Sequence, residues 1–340
     1  MSEGTIGRVS VAAALDAPIP LALVNAYLSV HDLVSLRAVS RNCLRILPLH
    51  TRALVGFKLS RGPRAFALLT TYFPLVTSFA VRGCKLDGGN LIDALQYITG
   101  AWRHLKALEL SNVSSLHDGH VSICFNHCGA TLESLVITQC YQVNTPSLNA
   151  PRLRHLRVQD CFFTRFGSHT RLPALEELHI TSQLLDTLGV RHLIKKRLAT
   201  SKAPLRVLSL ANCGAVTQVL IDPGELPELT TLSLARCHKL ERVHVASLSL
   251  EHLDLSLCVE LQHAVLVLPS VLSVDMSYLK DMTQLFLRAE SLRTLSLSGC
   301  SRLERQHLRA ACPALQTAHL SGSSIALEDL NSAEVDMTVE

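Results

Sequence analysis

A nine-residue pattern, Leu-x-x-Leu-x-Leu-x-x-Cys, recurs along most of this chain and constrains its fold more than any other feature. One complete copy is formed by Leu250, Leu253, Leu255 and Cys258. Successive copies start 21 to 30 residues apart. The copies start at Val76, Leu105, Leu132, Leu153, Leu175, Leu205, Leu229, Leu250, Val271, Leu292 and Leu315. Units this short cannot bury a core alone, so each must pack against its neighbours in a continuous stack.

This period and motif are typical of a leucine-rich-repeat solenoid. Leucines at the fourth and sixth positions predict a short strand that turns alternate side chains inward. We therefore predict an α/β, right-handed solenoid with a parallel β-sheet on its concave side. It would comprise about 11 repeats over residues 51–325, after a disordered start at 1–16 and a small helical segment at 17–50. An acidic tail would follow at 326–340.

The chain that returns along the convex side differs between short and long repeats. In the short repeats, apolar residues stand two apart, as at Val243 and Val245. This spacing is strand-like, so we predict extended chain between about residues 213 and 291. The longer repeats leave room for helices at 114–131, 184–203 and 302–313. Within the second of these, the basic stretch 189–198 is interpreted as a charged convex helix, with a nuclear signal or anionic partner as the alternative.

The cysteines indicate a reducing compartment. Seven of the 11 occupy the last position of the motif, which points into the core: Cys84, Cys140, Cys161, Cys213, Cys237, Cys258 and Cys300. There a thiol serves as a small buried apolar group, and an odd total with this placement argues against disulfides. The N-terminus lacks the apolar core of a signal peptide, and charged residues interrupt every apolar run. We therefore predict an intracellular, cytoplasmic or nuclear protein.

Catalytic chemistry is not predicted. The chain has no Gly-rich phosphate loop and no motif that sets a nucleophile beside a base. Cys124 and Cys128 lie near His120 and His127, but no second cysteine pair follows at zinc-finger spacing. A convex helix with buried thiols is therefore favoured over a metal site. We predict no enzyme activity, no metal and no cofactor, and the net charge of +4 does not by itself indicate nucleic acid or a membrane.

The repeat register predicts which side chains form the concave surface. The central column should run Ala80, Glu109, Val136, Arg157, His179, Ser209, Ser233, Asp254, Asp275, Ser296 and His319. Charged and imidazole groups should make a mixed-charge binding surface for a protein substrate, with a solvated face that binds nothing as the alternative. The substrate-binding candidates are Arg82, Glu109, His155, Arg157, Glu177, His179, His252, Asp254 and Asp275.

Residues 17–50 have a different character. A stripe at helical spacing includes Leu33, Leu36 and Val39. Helices this short cannot bury themselves and need a neighbour.

This segment resembles an F-box. The run 27–33, Tyr-Leu-Ser-Val-His-Asp-Leu, fits the middle of the F-box pattern, and the run 39–41, Val-Ser-Arg, fits its end. The chain departs from the pattern at Pro18, which is one residue off, at Asn25, and at Cys43, where tryptophan is common. An F-box followed by cysteine-containing repeats resembles the F-box/leucine-rich-repeat family.

The resemblance implies a substrate-recognition subunit of an SCF-type (cullin–RING) ubiquitin ligase. Its F-box would bind a Skp-family adaptor, and through it a cullin, while the solenoid holds a protein substrate. The chain would be a monomer within a hetero-complex and would not bind nucleic acid or a membrane. The adaptor contacts implied by the resemblance are Pro18, Leu21, Val24, Leu28, Asp32, Leu33, Leu36, Val39 and Leu47. The alternative is a leucine-rich-repeat scaffold with no ligase role, in which these helices only cap the solenoid.

Overall fold

The computed structural model describes residues 53–57, 70–71, 73–83, 88–198 and 203–330. The F-box-like segment and all nine candidate adaptor contacts between Pro18 and Leu47 lie outside the described residues. Cys84 lies outside them as well.

One parallel sheet of twelve strands runs through the described chain. Its strands, numbered in chain order, are β1 (Ala53–Phe57), β2 (Ser78–Arg82), β3 (Ala107–Ser111), β4 (Ser134–Thr138), β5 (His155–Gln159), β6 (Glu177–Ile180), β7 (Val207–Ser209), β9 (Thr231–Ser233), β11 (His252–Asp254), β13 (Ser273–Asp275), β15 (Thr294–Ser296) and β17 (Thr317–His319). Each repeat contributes one strand that pairs with the strand of the repeat before it. This is the concave sheet that the motif predicts, and the fold is an α/β leucine-rich-repeat solenoid.

A second parallel sheet of five strands forms the convex side of the later repeats. It consists of β8 (Gln218–Ile221), β10 (Arg242–Ala246), β12 (His263–Val267), β14 (Gln284–Arg288) and β16 (Leu308–Ala311). The prediction of extended chain between residues 213 and 291 is confirmed. The strands also pair across repeats, because successive repeats of similar length place their return segments in register, with partners 21 to 24 residues apart.

Helices occur where the repeats are longer. They are α1 (Gly88–Ala101), α2 (Asp118–Cys128) and α3 (Thr187–His192), which continues into a π-helix at Leu193–Leu198. The predicted helices within 114–131 and 184–203 are confirmed, whereas α1 was not predicted.

The helix predicted at 302–313 is wrong. The chain makes only a 3₁₀ turn at Arg305–His307 and then enters β16. Leu308 and Ala310 are buried and alternate with exposed Arg309, and β16 pairs with β14. Pairing with the edge of an existing sheet therefore outweighs the helix propensity of this run.

The core lies between the two sheets. Leu232 and Leu234 of one repeat and Val243 and Val245 of its return strand are all buried, the least buried of them 2% exposed. The described helices close the same core where the convex sheet is absent. No helix of the described ranges is both long enough and apolar enough to cross a membrane.

Residues 327–330, which the sequence placed in the acidic tail, form a 3₁₀ turn that packs on β16. Leu330 is fully buried. The nearby carboxylate of Asp329 forms an ion pair with Arg305, with 2.7 Å between Nε and Oδ1. The turn therefore covers β16, whereas Leu315, Ala318 and Leu320 of the last repeat are only partly buried.

Candidate functional site on the concave sheet

The outward side chains of the concave sheet stand in register from repeat to repeat. Arg157 is directly opposite His179, Asp254 is opposite Asp275, and Ser296 is opposite His319. The whole predicted central column from Ala80 to His319 is reproduced by the strand pairing. Neighbouring strands lie about 4.8 Å apart, so this column is a continuous surface of adjacent side chains.

Arg82 and Glu109 form a two-pronged ion pair at the start of the sheet. Arg82 donates from Nε to Oε1 at 2.6 Å and from a terminal nitrogen to Oε2 at 2.8 Å. Ser111 also donates to Glu109 Oε1, at 2.9 Å. The hydrogen bond from Arg82 lowers the pKa of Glu109 and raises that of Arg82. These two candidate substrate contacts already satisfy one another, which leaves less free charge at this end for a partner.

A cluster of two histidines, one arginine and one glutamate follows on β5 and β6. His155 Nδ1 lies 3.2 Å from Glu177 Oε2, and His179 Nε2 lies 3.9 Å from the same oxygen. Arg157 is exposed beside them, and no ion pair among the described residues includes it. Burial lowers the pKa of His179, and the neighbouring charge of Arg157 lowers it further. At neutral pH the cluster therefore presents the Arg157 guanidinium beside an imidazole that favours its neutral form.

Asp254 on β11 and Asp275 on β13 lie side by side, and we call this pair the acidic step; β11 is the fourth strand after β5. Asp254 Oδ1 accepts hydrogen bonds from the backbone and hydroxyl of Ser256, at 3.0 and 2.7 Å. Asp275 Oδ1 accepts the matching pair from Ser277, at 2.9 and 2.6 Å. Ser233 donates to the other oxygen of Asp254 at 3.3 Å. The serine two residues after each aspartate thus fixes the carboxylate, and the repeated Asp-x-Ser is the sequence signal for it.

The remaining candidate, His252, is exposed on β11. It stands in register with Thr231 on one side and Ser273 on the other. It lies two residues before Asp254 on the same face of the strand, so an imidazole flanks the acidic step.

A ladder of alternating charges borders the sheet and was not anticipated from the sequence. Lys106 lies 3.0 Å from Glu133, and Arg154 lies 3.2 Å from Glu176. All four occupy the second position of consecutive repeats, directly after the first leucine. Comparing this one position between repeats would have revealed the alternation. Because these side chains are partly exposed, each ion pair contributes about 1 kcal/mol or less to the stability of the fold.

Cys128 and His120 of α2 have structural partners. Cys128 donates from Sγ to the carbonyl of Cys124 at 3.1 Å, and burial raises the pKa of Cys128 to about 12. The backbone of His117 donates to His120 Nδ1 at 3.2 Å, which caps the start of the helix. Within the described ranges, no group of three His, Cys, Asp or Glu side chains is arranged to hold a metal ion. The side chain of His127 lies outside the described residues.

The comparisons with known proteins give matches among solved structures only. No protein-family model and no curated protein matches the sequence. Among the solved structures that match, a chain in the crystal structure of Rad7 and Elc1 complex in yeast is 13% identical, and the match covers 82% of this chain and 77% of that chain. Its TM-score is 0.41, a level at which no partner or activity is transferred to this chain.

Proposed function

We propose that this chain is the substrate-recognition subunit of an SCF-type ubiquitin ligase. The observation that carries the binding role is the concave sheet, twelve parallel strands whose central outward column is polar or charged from Arg157 to His319. A solenoid offers an extended face for a partner protein. The link to the ligase rests on the F-box resemblance of residues 17–50, read from the sequence.

In this proposal the chain performs no bond chemistry of its own. The F-box segment binds a Skp-family adaptor, and the adaptor connects the chain to a cullin. The concave sheet holds a protein substrate so that cullin-bound enzymes can transfer ubiquitin to it. The contribution of this chain is proximity and orientation, which lower the entropic cost of a reaction between two macromolecules.

The distribution of charge on the concave sheet indicates which kind of substrate surface would be complementary to it. Arg157 presents positive charge at one end, and Asp254 with Asp275 presents negative charge at the other. Four strand spacings separate Arg157 from Asp254, about 19 Å along the sheet. Between them stand the hydroxyls of Ser209 and Ser233. A substrate surface with an acidic and a basic group at this separation complements the face.

Co-purification with a Skp-family adaptor tests the ligase role. The full-length chain and the adaptor are expressed together, and we expect a stable complex with micromolar or tighter affinity. The double variant Leu33→Ala and Leu36→Ala should lose the adaptor. The matched control Arg157→Glu changes the concave face and should retain it.

Circular dichroism and the thermal transition of the double variant show whether the solenoid still folds. A wild-type chain that folds but does not bind the adaptor contradicts the ligase role. That result favours the alternative, a leucine-rich-repeat scaffold whose N-terminal helices only cap the first repeats.

The substrate role has its own test. Proximity labelling in cells with the wild-type chain and with the Asp254→Lys and Asp275→Lys double variant should give different sets of labelled proteins, while labelling of the adaptor stays the same. If the two sets are identical, the acidic step does not select the substrate.

A further inference from the structure

The outward face of the convex sheet carries a row of apolar and cationic side chains. Strand pairing aligns Leu220, His244, Val265, Phe286 and Arg309 across all five strands. Val265 and Phe286 are only half-buried, and Arg309 is exposed. An outer sheet face that served only to close the core would be expected to carry polar side chains along its centre. The apolar centre therefore points to a face that a partner covers.

A groove of about 340 Å³ lies over the last three strands of this sheet, β12, β14 and β16. Its floor is made by buried Ala264 and Leu285. Its walls include His263, Val265, Gln284, Phe286, His307 and Arg309. The groove thus combines an apolar base with side chains that donate hydrogen bonds or carry positive charge.

An acidic group next to the groove is already engaged. Glu304 accepts a hydrogen bond of 2.6 Å from Gln306, which lines the groove. Arg309 belongs to none of the ion pairs found among the described residues. The Arg309 guanidinium therefore remains available to an anionic partner.

His263 provides a second, independent indication that a partner occupies the groove. Its Nδ1 atom is buried and has no hydrogen-bond partner among the described residues. A buried polar atom without a partner is costly, so a ligand gains affinity if the imidazole ring turns and brings this atom to a donor or an acceptor in the groove. His263 lines the same groove as Arg309.

We propose that this groove is a docking site, separate from the concave sheet, for an extended acidic and aliphatic peptide segment of a partner protein. A glutamate or aspartate side chain of the peptide pairs with Arg309 and His307. An aliphatic side chain next to it packs on Phe286 and Val265. The groove spans two strand spacings, about 10 Å, which matches roughly three to four residues of extended chain. The apolar floor favours a peptide over the polar backbone of a nucleic acid.

Fluorescence anisotropy with labelled octapeptides tests the chemistry of the site. The probe alternates glutamate and valine, one control peptide alternates lysine and valine, and a second alternates glutamate and serine. The full-length chain should bind the glutamate–valine peptide and discriminate against both controls by about tenfold or more, the effect of one charge-assisted hydrogen bond or one buried side chain. Equal binding of the lysine–valine peptide overturns the proposal.

Two groove variants and one control variant show where the glutamate–valine peptide binds. Arg309→Glu and Phe286→Ser should each weaken the glutamate–valine peptide by about tenfold or more. Arg165→Glu makes the same charge change at an exposed residue before β6 and should leave the affinity unchanged. Unchanged far-ultraviolet circular dichroism of Arg309→Glu separates loss of binding from loss of fold. Full affinity in both groove variants overturns the proposal.

Two further results also overturn it. Residues 331–340 are acidic, with Glu334, Asp336 and Glu340. Peptide binding that appears only after their deletion identifies that segment, not a partner, as the occupant. Tighter binding of a single-stranded oligonucleotide that is lost in Arg309→Glu assigns the groove to nucleic acid. Adaptor binding through residues 17–50 is unaffected by any of these outcomes, so the two proposals fail separately.

Discussion

The thiol of Cys258 donates a hydrogen bond to the backbone carbonyl of Leu234, one repeat earlier, with 3.1 Å between sulfur and oxygen. The same contact recurs along the solenoid. Cys237 reaches the carbonyl of Leu210 at 3.2 Å, and Cys300 reaches that of Met276 at 3.0 Å. In each case the carbonyl belongs to the sixth position of the preceding motif. The motif cysteine is therefore a connector between repeats as well as a buried apolar group.

Replacing Cys258 with alanine should destabilise the protein by about 0.5–1.5 kcal/mol, because the Leu234 carbonyl loses one of two donors and keeps the backbone N–H of Cys237 at 3.3 Å. Cys258→Ser keeps a donor and should cost less. Urea unfolding followed by circular dichroism measures both. An alanine variant as stable as the serine variant would mean that the thiol acts only through its bulk.

The buried thiols also predict a dependence of stability on alkaline pH. Burial raises the pKa of Cys237 and Cys300 to about 11 and that of Cys213 to about 12, from an ordinary value of 9.0. The folded state thus holds these protons more tightly than the unfolded chain. The resulting stability is complete below about pH 9 and is lost as the pH rises through 11 to 12.

The urea concentration at the unfolding midpoint should therefore decrease as the pH is raised from about 9 to about 10.5, where the unfolded thiols ionise and the folded ones do not. Iodoacetamide supplies the control, because these thiols should react in urea and stay protected in the native protein. A midpoint that is constant over this interval contradicts the prediction.

The repeat motif was sufficient to predict the concave sheet and the neighbours along it. Leu253 and Asp254 could be assigned to the core and the surface because strand side chains alternate and each repeat adds one strand. The pairing of Asp254 with Asp275 follows from that register alone. The extended convex segments were also predictable, since short repeats leave too few residues for a helix.

Other features depend on contacts that no local pattern encodes. The run 304–311 favours a helix by composition, yet Leu308 and Ala310 are drawn into pairing with β14. The ion pair between Arg82 and Glu109 joins adjacent columns of neighbouring strands, and its two-pronged geometry depends on rotamers. The apolar row on the outward face of the convex sheet depends on the pairing of β12, β14 and β16.

Replacing Gly299 should be unfavourable for two reasons that substitutions can separate, although Leu257 and Tyr278 occupy the same turn position of earlier repeats with positive φ. Its φ is +76°, and an added Cβ would lie 3.0 Å from Cδ1 of Tyr278. Gly299→Ala should cost about 1–2 kcal/mol or more, because the left-handed region is unfavourable for alanine and the tyrosine ring must move. The thermal transition and urea midpoint measure the change.

Two other glycines serve as controls for this experiment. Gly224 has φ +86° with no atom within 4 Å of an added Cβ, so Gly224→Ala reports the backbone cost alone. Gly100 lies in α1, also with open space around an added Cβ, and Gly100→Ala should stabilise by about 0.5–1 kcal/mol. If Gly299→Ala costs no more than Gly224→Ala, contact with Tyr278 contributes nothing.

The last prediction concerns Asp329, which lies in the 3₁₀ turn that packs on β16. Its carboxylate is 5% exposed, pairs with Arg305 at 2.7 Å, and accepts a hydrogen bond of 2.9 Å from the backbone of Ala326. Asp329→Ala should therefore cost about 1–3 kcal/mol, since it leaves a backbone donor without its partner and loosens the turn over β16. Because each repeat contacts mainly its neighbours, the loss should stay local.

Hydrogen exchange measured by mass spectrometry resolves where the loss occurs. Amides of β16 and β17 should exchange faster in Asp329→Ala, while those of β4 and β5 keep their protection. Asp281→Ala is the matched control, since Asp281 pairs with Arg302 at 2.8 Å at an exposed site and such pairs contribute about 1 kcal/mol or less. Faster exchange throughout the chain would mean that the solenoid unfolds as one cooperative unit, and the turn at 327–330 would then stabilise every repeat rather than the last one.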